Sequence, residues 1–156
     1  MPEKLLKDED FMNLAVQAYH EGELARCREL LNEILHSNPQ DHTALILRGS
    51  VALDERELKE AVSYFEKASK AAPNLMEAHL GLGKALLAEH SLTAAEAAFR
   101  EALRLDPSCG SAAQGLGLAL QAQGKVKEAI PWLKAGVERL PEKPEGYLAL
   151  GRALNS

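Results

Sequence analysis

Four prolines, Pro39, Pro73, Pro107 and Pro141, recur every 34 residues and constrain this chain more than any other feature of its sequence. A period in the range of roughly 20 to 50 residues is typical of a stacked array of short units. Each unit of such an array has too small a core to fold alone and buries its apolar face against its neighbours. The sequence therefore predicts one short structure that is repeated four times.

This period divides the chain into an N-terminal extension, four repeats and a C-terminal half repeat or capping helix. The predicted bounds are 1–7 for the extension, 8–41, 42–75, 76–109 and 110–143 for the repeats, and 144–156 for the last segment. An array needs about three units to be stable, and this chain has four, so we expect the chain to fold on its own.

Two further columns of residues keep the same period. Small residues recur in the first half of the unit, at Ala15, Gly49, Gly83, Gly117 and Gly151. In the second half, a small residue stands four positions before a large apolar one, as in Cys27 and Leu31, Ala61 and Phe65, Ala95 and Phe99, and Ala129 and Leu133. Residues four apart share one helical face. We expect the small residues to let two helices approach and the large ones to fill the seam between units.

Composition favours helices over strands. Apolar residues make up 46% of the chain, many of them the helix formers Ala and Leu, whereas aromatic residues make up only 4%. No segment alternates apolar and polar residues for long enough to indicate a strand.

Each unit is predicted to contain two helices separated by a short turn. Gly22 and Gly124 can adopt the left-handed backbone conformation at this turn, whereas Arg56 and His90 must accept it at a cost. The second helix should end at the repeating proline, because the residue before proline is disfavoured in the helical region. Pro131 is expected in the first turn of its helix, where a missing N–H does not cost a helical hydrogen bond.

These features resemble the tetratricopeptide repeat (TPR), a helix-turn-helix unit of 34 residues. The third unit shows the pattern most clearly, with Leu82, Gly83 and Leu86, then Ala95, Phe99 and Ala102, then Asp106 and Pro107. The resemblance covers residues 8–156 and implies an all-α fold, a right-handed α-α superhelix of stacked helix-turn-helix repeats (a TPR-like solenoid).

Three residues depart from the family pattern. Arg48 replaces the leucine beside Gly49, and His79 and Ala113 occupy the position of a large aromatic residue. We expect the Arg48 stem to pack in the seam while its charged head reaches the edge.

In a TPR-like stack the first helix of each unit lines the concave side, so the resemblance implies a partner-binding groove there. Helical spacing assigns these residues to the groove: Met12, Asn13, Val16, His20, Ile46, Leu47, Ser50, Asp54, Leu80, Lys84, Leu87, Gln114, Leu118, Gln121, Leu148 and Arg152. Many are apolar, and contiguous apolar surface commonly marks a binding site. We expect an apolar stripe that receives an amphipathic helix or extended peptide of a partner protein. The alternative is that several of these side chains are buried between adjacent first helices.

The groove does not match one well-known TPR activity. Relatives that hold the carboxylate tails of chaperones use Lys, Asn and Arg on three successive first helices. When this pattern is aligned with the first three units, the matching positions carry Met12, Val16, Leu47, Glu77 and Gly81. When it is aligned with the last possible set of units, Lys84 is the only charged residue that remains, and it has a different role. A carboxylate clamp is therefore not predicted.

No residue set indicates an enzyme, a cofactor or a metal site. The histidines fall at different positions of the repeat and do not converge, at His20, His36, His42, His79 and His90. Cys27 lies in the small buried column and Cys109 in a turn, without the spacing of a metal or redox motif. The glycines do not have the spacing of a phosphate-binding loop. The sequence also shows no recognisable set of a nucleophile, a general base and an orienting group.

Charge and hydropathy exclude two other classes of partner. The net charge is −5 and no basic stripe is present, which disfavours nucleic acid and an anionic membrane surface. No apolar run approaches about 18 residues, so we expect no membrane insertion and a cytoplasmic protein. The first repeat carries −6 and the fourth +2. Charged residues on helix faces usually serve only to solvate the protein, but this distribution also permits a basic partner at the first repeat or weak head-to-tail stacking of chains.

The predicted function is a non-enzymatic scaffold that binds a peptide or helix of a partner protein. Two alternatives stay open: an accessory domain that presents a substrate to a larger enzyme or secretion component, and a self-assembly module. The last segment carries Tyr147, Leu148, Leu150 and Leu154 around one helix. This helix is a weak cap, or the point where a longer protein continues, or a site of homo-oligomerisation.

Overall fold

A computed structural model describes residues 7–156, so most of the predicted extension 1–7 lies outside the described residues. Residues 7–156 form nine α-helices and no strand. The helices are α1 Asp8–His20, α2 Leu24–Ser37, α3 His42–Asp54, α4 Leu58–Ala71, α5 Met76–Ala88, α6 Leu92–Leu105, α7 Gly110–Ala122, α8 Val126–Arg139 and α9 Pro144–Leu154. Over this range, no helix is both long and apolar enough to span a membrane.

The helices belong to two compact units. Unit 1 ends at Pro73 and contains α1 to α4, and unit 2 begins at Asn74 and contains α5 to α9. We call the odd-numbered helices A helices and the even-numbered ones B helices. In unit 1, α2 packs between α1 and α3, and α4 packs against α3; in unit 2, α6 packs between α5 and α7, and α8 packs between α7 and α9. The predicted fold class, an all-α stack of TPR-like helix-turn-helix repeats, is confirmed.

The turns follow the predicted backbone geometry. Gly22 and Gly124 have φ values of +77° and +78°, and Arg56 and His90 accept the same left-handed conformation at +64° and +65°. Each B helix ends two residues before its repeating proline. The residue between has an extended φ, between −131° and −136°, at Asn38, Ala72, Asp106 and Leu140. Proline therefore ends the helix through the residue before it, as expected.

The expectation for Pro131 is wrong. It lies inside α8, beyond the first turn that begins at Val126, and it is exposed. The start of α8 is fixed by the repeat, because the other B helices begin at the equivalent Leu24, Leu58 and Leu92. Pro131 thus removes a helical hydrogen bond to the carbonyl of Lys127.

Glycines on the A helices receive large side chains of the B helices. In unit 2, the Phe99 ring lies between two of them: an added Cβ would come 2.8 Å from Phe99 Cδ1 at Gly83 and 2.4 Å from Phe99 Cε1 at Gly115. In unit 1, a Cβ on Gly49 would lie 3.0 Å from Phe65 Cε2. Both phenylalanines are buried, with 2% of Phe65 and 0% of Phe99 exposed. The contacts at Gly49 and Gly83 hold the two helices of a hairpin together, and the contact at Gly115 joins one hairpin to the next.

Gly115→Ala is expected to destabilise unit 2 by about 1 to 3 kcal/mol, because the methyl group would overlap the Phe99 ring in a close-packed core. Gly151→Ala is the matched control, since nothing lies within 4 Å of a Cβ there and helix propensity favours alanine by about 0.5 to 1 kcal/mol. Urea denaturation in dilute solution measures both. Equal stability of the two variants would contradict this account of the packing.

Arg48 is buried in unit 1, contrary to the expectation that its head reaches the edge of the seam. Only 5% of the residue is exposed. Its Nη2 lies 3.6 Å from Glu60 Oε2, and its guanidinium carbon lies 4.8 Å from the centre of the Tyr64 ring. Its Nε and Nη1 have no hydrogen-bond partner among the described residues. Leucine occupies this column in the other units, at Leu14, Leu82, Leu116 and Leu150.

Arg48→Leu is therefore expected to raise the free energy of unfolding by about 1 kcal/mol or more, because it removes a buried charge with unpaired donors. Glu60→Gln should have the opposite effect, since it leaves the guanidinium without a nearby anion. Guanidinium chloride denaturation distinguishes the two outcomes, and a loss of stability in Arg48→Leu would show that the charge stabilises the seam.

Candidate functional site

The A helices of unit 1 carry the first half of the predicted groove, which we call the unit 1 A face. It consists of Met12, Asn13, Val16 and His20 on α1 and Ile46, Leu47, Ser50 and Asp54 on α3. Asn13, His20 and Asp54 are exposed, as is Val16, of which 37% is accessible. The other four are half-buried.

Part of this face belongs to the interior of unit 1. Met12 and Leu47 pack against the buried cluster that contains Ala15, Leu31 and Val51. Ser50 donates its hydroxyl to the carbonyl of Ile46, 3.0 Å away on the same helix. For Met12 and Leu47 the structure therefore favours the alternative reading, in which groove residues pack between helices.

A hydrogen bond that sequence reasoning missed links the two helices of this face. The Tyr19 hydroxyl on α1 donates to Asp54 Oδ2 on α3 across 2.7 Å. Burial, followed by this hydrogen bond and the Asp54 charge, raises the pKa of Tyr19 to about 12. The sequence feature that could have indicated this bond is the acidic Asp54 at the end of α3, the A helix that follows α1.

The Tyr19 to Asp54 bond predicts a loss of stability at high pH. The folded-state pKa of Tyr19 is about 12, above its ordinary value of 10.0, so the unfolded chain releases this proton first. The contribution of Tyr19 to the free energy of unfolding is therefore fully present below about pH 10 and is lost as the pH rises towards 12.

Tyr19→Phe should therefore lower the free energy of unfolding by about 0.5 to 1 kcal/mol at neutral pH and flatten its fall between roughly pH 10 and 12. Urea titrations at each pH test this, with the exposed Tyr147→Phe as control. A wild-type pH profile that Tyr19→Phe leaves unchanged would refute the assignment.

The A helices of unit 2 carry the rest of the predicted groove, which we call the unit 2 A face. It consists of Leu80, Lys84 and Leu87 on α5, Gln114, Leu118 and Gln121 on α7, and Leu148 and Arg152 on α9. Lys84, Leu148 and Arg152 are exposed and the others are half-buried. Leu148 is the most open large apolar side chain of the described residues, with 61% accessible.

Two glutamines of this face help to pack the A helices. Gln114 lies against α8 and α9: its Cβ would be 3.0 Å from a Cβ on Gly136, and its Nε2 3.6 Å from one on Gly146. Gln121 donates its side-chain Nε2 to the carbonyl of Ala149, 3.4 Å away on α9. Their amides therefore serve the α7 to α9 interface, and less of each side chain is left for a partner.

Lys84 is the cation of α5 on this face. Partial burial, which removes water from the ammonium group, lowers the pKa of Lys84; the charge of Lys143 lowers it further, and Cys109 acts in the opposite direction. Lys84 forms no ion pair within residues 7–156.

The described residues show no metal site, since no group of three or more His, Cys, Asp and Glu in this part of the chain could hold an ion. One small acidic cleft borders the unit 1 A face. Its volume is about 200 Å³, and it is lined by Asp8, Glu9, Met12, Asp41 and Thr43.

The comparisons with known proteins identify the class of protein. The sequence profile of the tetratricopeptide repeat matches residues 12–76 and 80–144. Since these segments make up most of the chain, it belongs to the tetratricopeptide repeat family. TPR proteins generally act as non-enzymatic scaffolds for other proteins.

Solved structures of TPR proteins are similar to this chain in fold. A structure of MamA from residue 41 to its end, from Desulfovibrio magneticus RS-1, is 21% identical with a TM-score of 0.84, and the match covers 94% of this chain and 82% of that chain. The thermophilic TPR protein TTC0263 of Thermus thermophilus is 22% identical with a TM-score of 0.78, covering 94% and 81%. YrrB, described as a TPR protein with an unusual peptide-binding site, is 23% identical with a TM-score of 0.79, covering 94% and 76%. The curated proteins provide no sequence match.

Proposed function

We propose that this TPR protein is a non-enzymatic scaffold that binds a peptide or helix of a partner protein on its A faces. The observation that carries the proposal is the accessible apolar surface of the unit 2 A face. Leu148 is 61% exposed on α9, and Leu80 and Leu118 are only half-buried on α5 and α7. Apolar side chains on neighbouring helices that water can reach are the usual floor of a peptide-binding groove.

The polar residues around each A face favour different chemistry in the partner. Asp8, Glu9 and Asp41 surround the cleft beside Met12 in unit 1, which favours basic residues. Lys84 and Arg152 are exposed on the unit 2 A face, which favours acidic ones. The structural similarity to YrrB supports a peptide as the class of ligand. We expect an affinity of about 1 µM, which corresponds to roughly 8 kcal/mol.

Leu80→Glu combined with Leu118→Glu is expected to weaken partner binding at least about tenfold, which corresponds to roughly 1.4 kcal/mol, because it places two charges in the apolar floor. Partners recovered by cross-linking from the source cell would be identified, and the affinity of the purified partner then measured by calorimetry. Circular dichroism and thermal melting check that the variant remains folded.

Ala94→Glu with Ala97→Glu is the matched control, because both alanines are exposed on the B helix α6 and the variant adds the same charge. Leu148→Glu provides a second test at a side chain whose replacement leaves the core intact. Unchanged affinity in the double variant of Leu80 and Leu118 and also in Leu148→Glu would refute binding at the unit 2 A face.

A further inference from the structure

A cleft on the B helices of unit 1 lies apart from the A faces, and we call it the α2–α4 cleft. Its volume is about 360 Å³, near the lower end of the roughly 300 to 1,000 Å³ that is usual for ligand sites. Leu35 and Pro39 contribute apolar surface on the side of α2, and the buried Leu45 of α3 also lines it. None of its lining residues belongs to the unit 1 A face.

The lining of this cleft is basic, although the first repeat as a whole carries −6. Lys67 of α4 is exposed, and its Nζ lies 5.5 Å from the centre of the Tyr64 ring, which also lines the cleft. Lys67 forms no ion pair within residues 7–156. His36 of α2 completes the basic lining, and none of the described residues that line the cleft is acidic. The cleft therefore favours an anionic ligand.

The buried Arg48 brings a second cation to the Tyr64 ring. Its guanidinium carbon lies 4.8 Å from the ring centre, while its Nε and Nη1 have no hydrogen-bond partner among the described residues. The carboxylate beside it, Glu60, is 3.6 Å away, and 57% of that side chain is exposed, so water weakens the pair. Tyr64 is thus in contact with two cations, one of which is buried and the other of which borders the cleft.

This combination of residues departs from the repeat pattern. Leucine occupies the Arg48 column in every other repeat, and in the fourth repeat Trp132 and Ala135 stand at the positions equivalent to Tyr64 and Lys67. A buried arginine with unpaired donors costs stability, whereas leucine in the same column does not. Residues that break a local rule at such a cost are expected at functional sites.

We propose that the α2–α4 cleft binds an acidic side chain of a partner peptide together with a neighbouring apolar side chain. The carboxylate pairs with Lys67 at the Tyr64 ring, and the apolar side chain lies against Leu35 and Pro39. The charge of Arg48 acts at the same place from the interior, where water screens it little. Asn32, which also lines the cleft, offers an amide to the peptide backbone.

The apolar half of the lining is the reason for a peptide rather than a free inorganic anion. A phosphate ion would gain the positive charge of Lys67 but would leave Leu35 and Pro39 in water. An acidic residue beside an apolar one satisfies both halves of the cleft. Because this site shares no residue with the A faces, the proposal does not rest on the function proposed for them.

NMR titration of the full chain, labelled with ¹⁵N, tests the proposal. The probe is the blocked dipeptide acetyl-leucyl-glutamyl amide, and acetyl-leucyl-glutaminyl amide is its uncharged counterpart. We expect the charged dipeptide to shift the amide signals of residues 32–39 and 64–67, with a dissociation constant on the order of 1 mM for so few contacts. The uncharged dipeptide should bind at least about twofold more weakly, since it lacks the ion pair.

Two variants separate binding from folding. Lys67→Gln should weaken binding of the charged dipeptide about two- to fivefold, the loss expected of one partly exposed ion pair. Lys70→Gln is the matched control, because Lys70 is exposed on the same helix and does not line the cleft, and it should leave binding unchanged. Arg48→Leu should weaken binding about twofold or more although it stabilises the fold, and a purely structural role of Arg48 would not move the two measurements in opposite directions.

Several outcomes would overturn the proposal. These are equal affinity for the two dipeptides, the absence of shifts in residues 32–39 and 64–67, and an equal loss of affinity in Lys67→Gln and Lys70→Gln. Tighter binding of inorganic phosphate than of the charged dipeptide at the same residues would overturn the assignment to a peptide carboxylate.

Discussion

The contact between a large apolar side chain of a B helix and a small residue of an A helix is the interaction on which the structure depends. Phe99 shows it most fully, because the ring touches Gly83 of its own hairpin and Gly115 of the next, and so joins two repeats of unit 2. A close-packed interior leaves no room for a methyl group between these partners. The repeat can therefore vary at its surface, while the small residue and the large one must change together.

The sequence predicted the backbone well because the signals for it are local. A proline restricts the residue before it, and a tight turn requires a left-handed residue whether the chain offers Gly124 or His90. Pro131 and Arg48 were placed wrongly for a different reason. The repeat register fixes where a helix begins and which column faces the core, and a residue that fits the column poorly is held there by its neighbours.

The site was less predictable than the fold, since helical spacing gives the direction of a side chain but not what lies opposite. Met12 and Gln114 have the spacing of groove residues, yet one packs on the core of unit 1 and the other against glycines of α8 and α9. Tyr19 and Asp54 form a hydrogen bond between A helices that no single-repeat pattern contains. Contacts between repeats depend on the twist from one hairpin to the next, which sequence period alone does not specify.

Different sides of an A helix make different contacts, and α9 has exposed apolar residues on two of its sides. The side of Leu148 and Arg152 continues the unit 2 A face, whereas Tyr147 and Leu154 lie on another side, where 49% and 57% of them are exposed. Because the two sides do not share residues, a substitution at Leu148 changes the unit 2 A face without changing the side of Tyr147 and Leu154, and the binding role of each side can be measured separately.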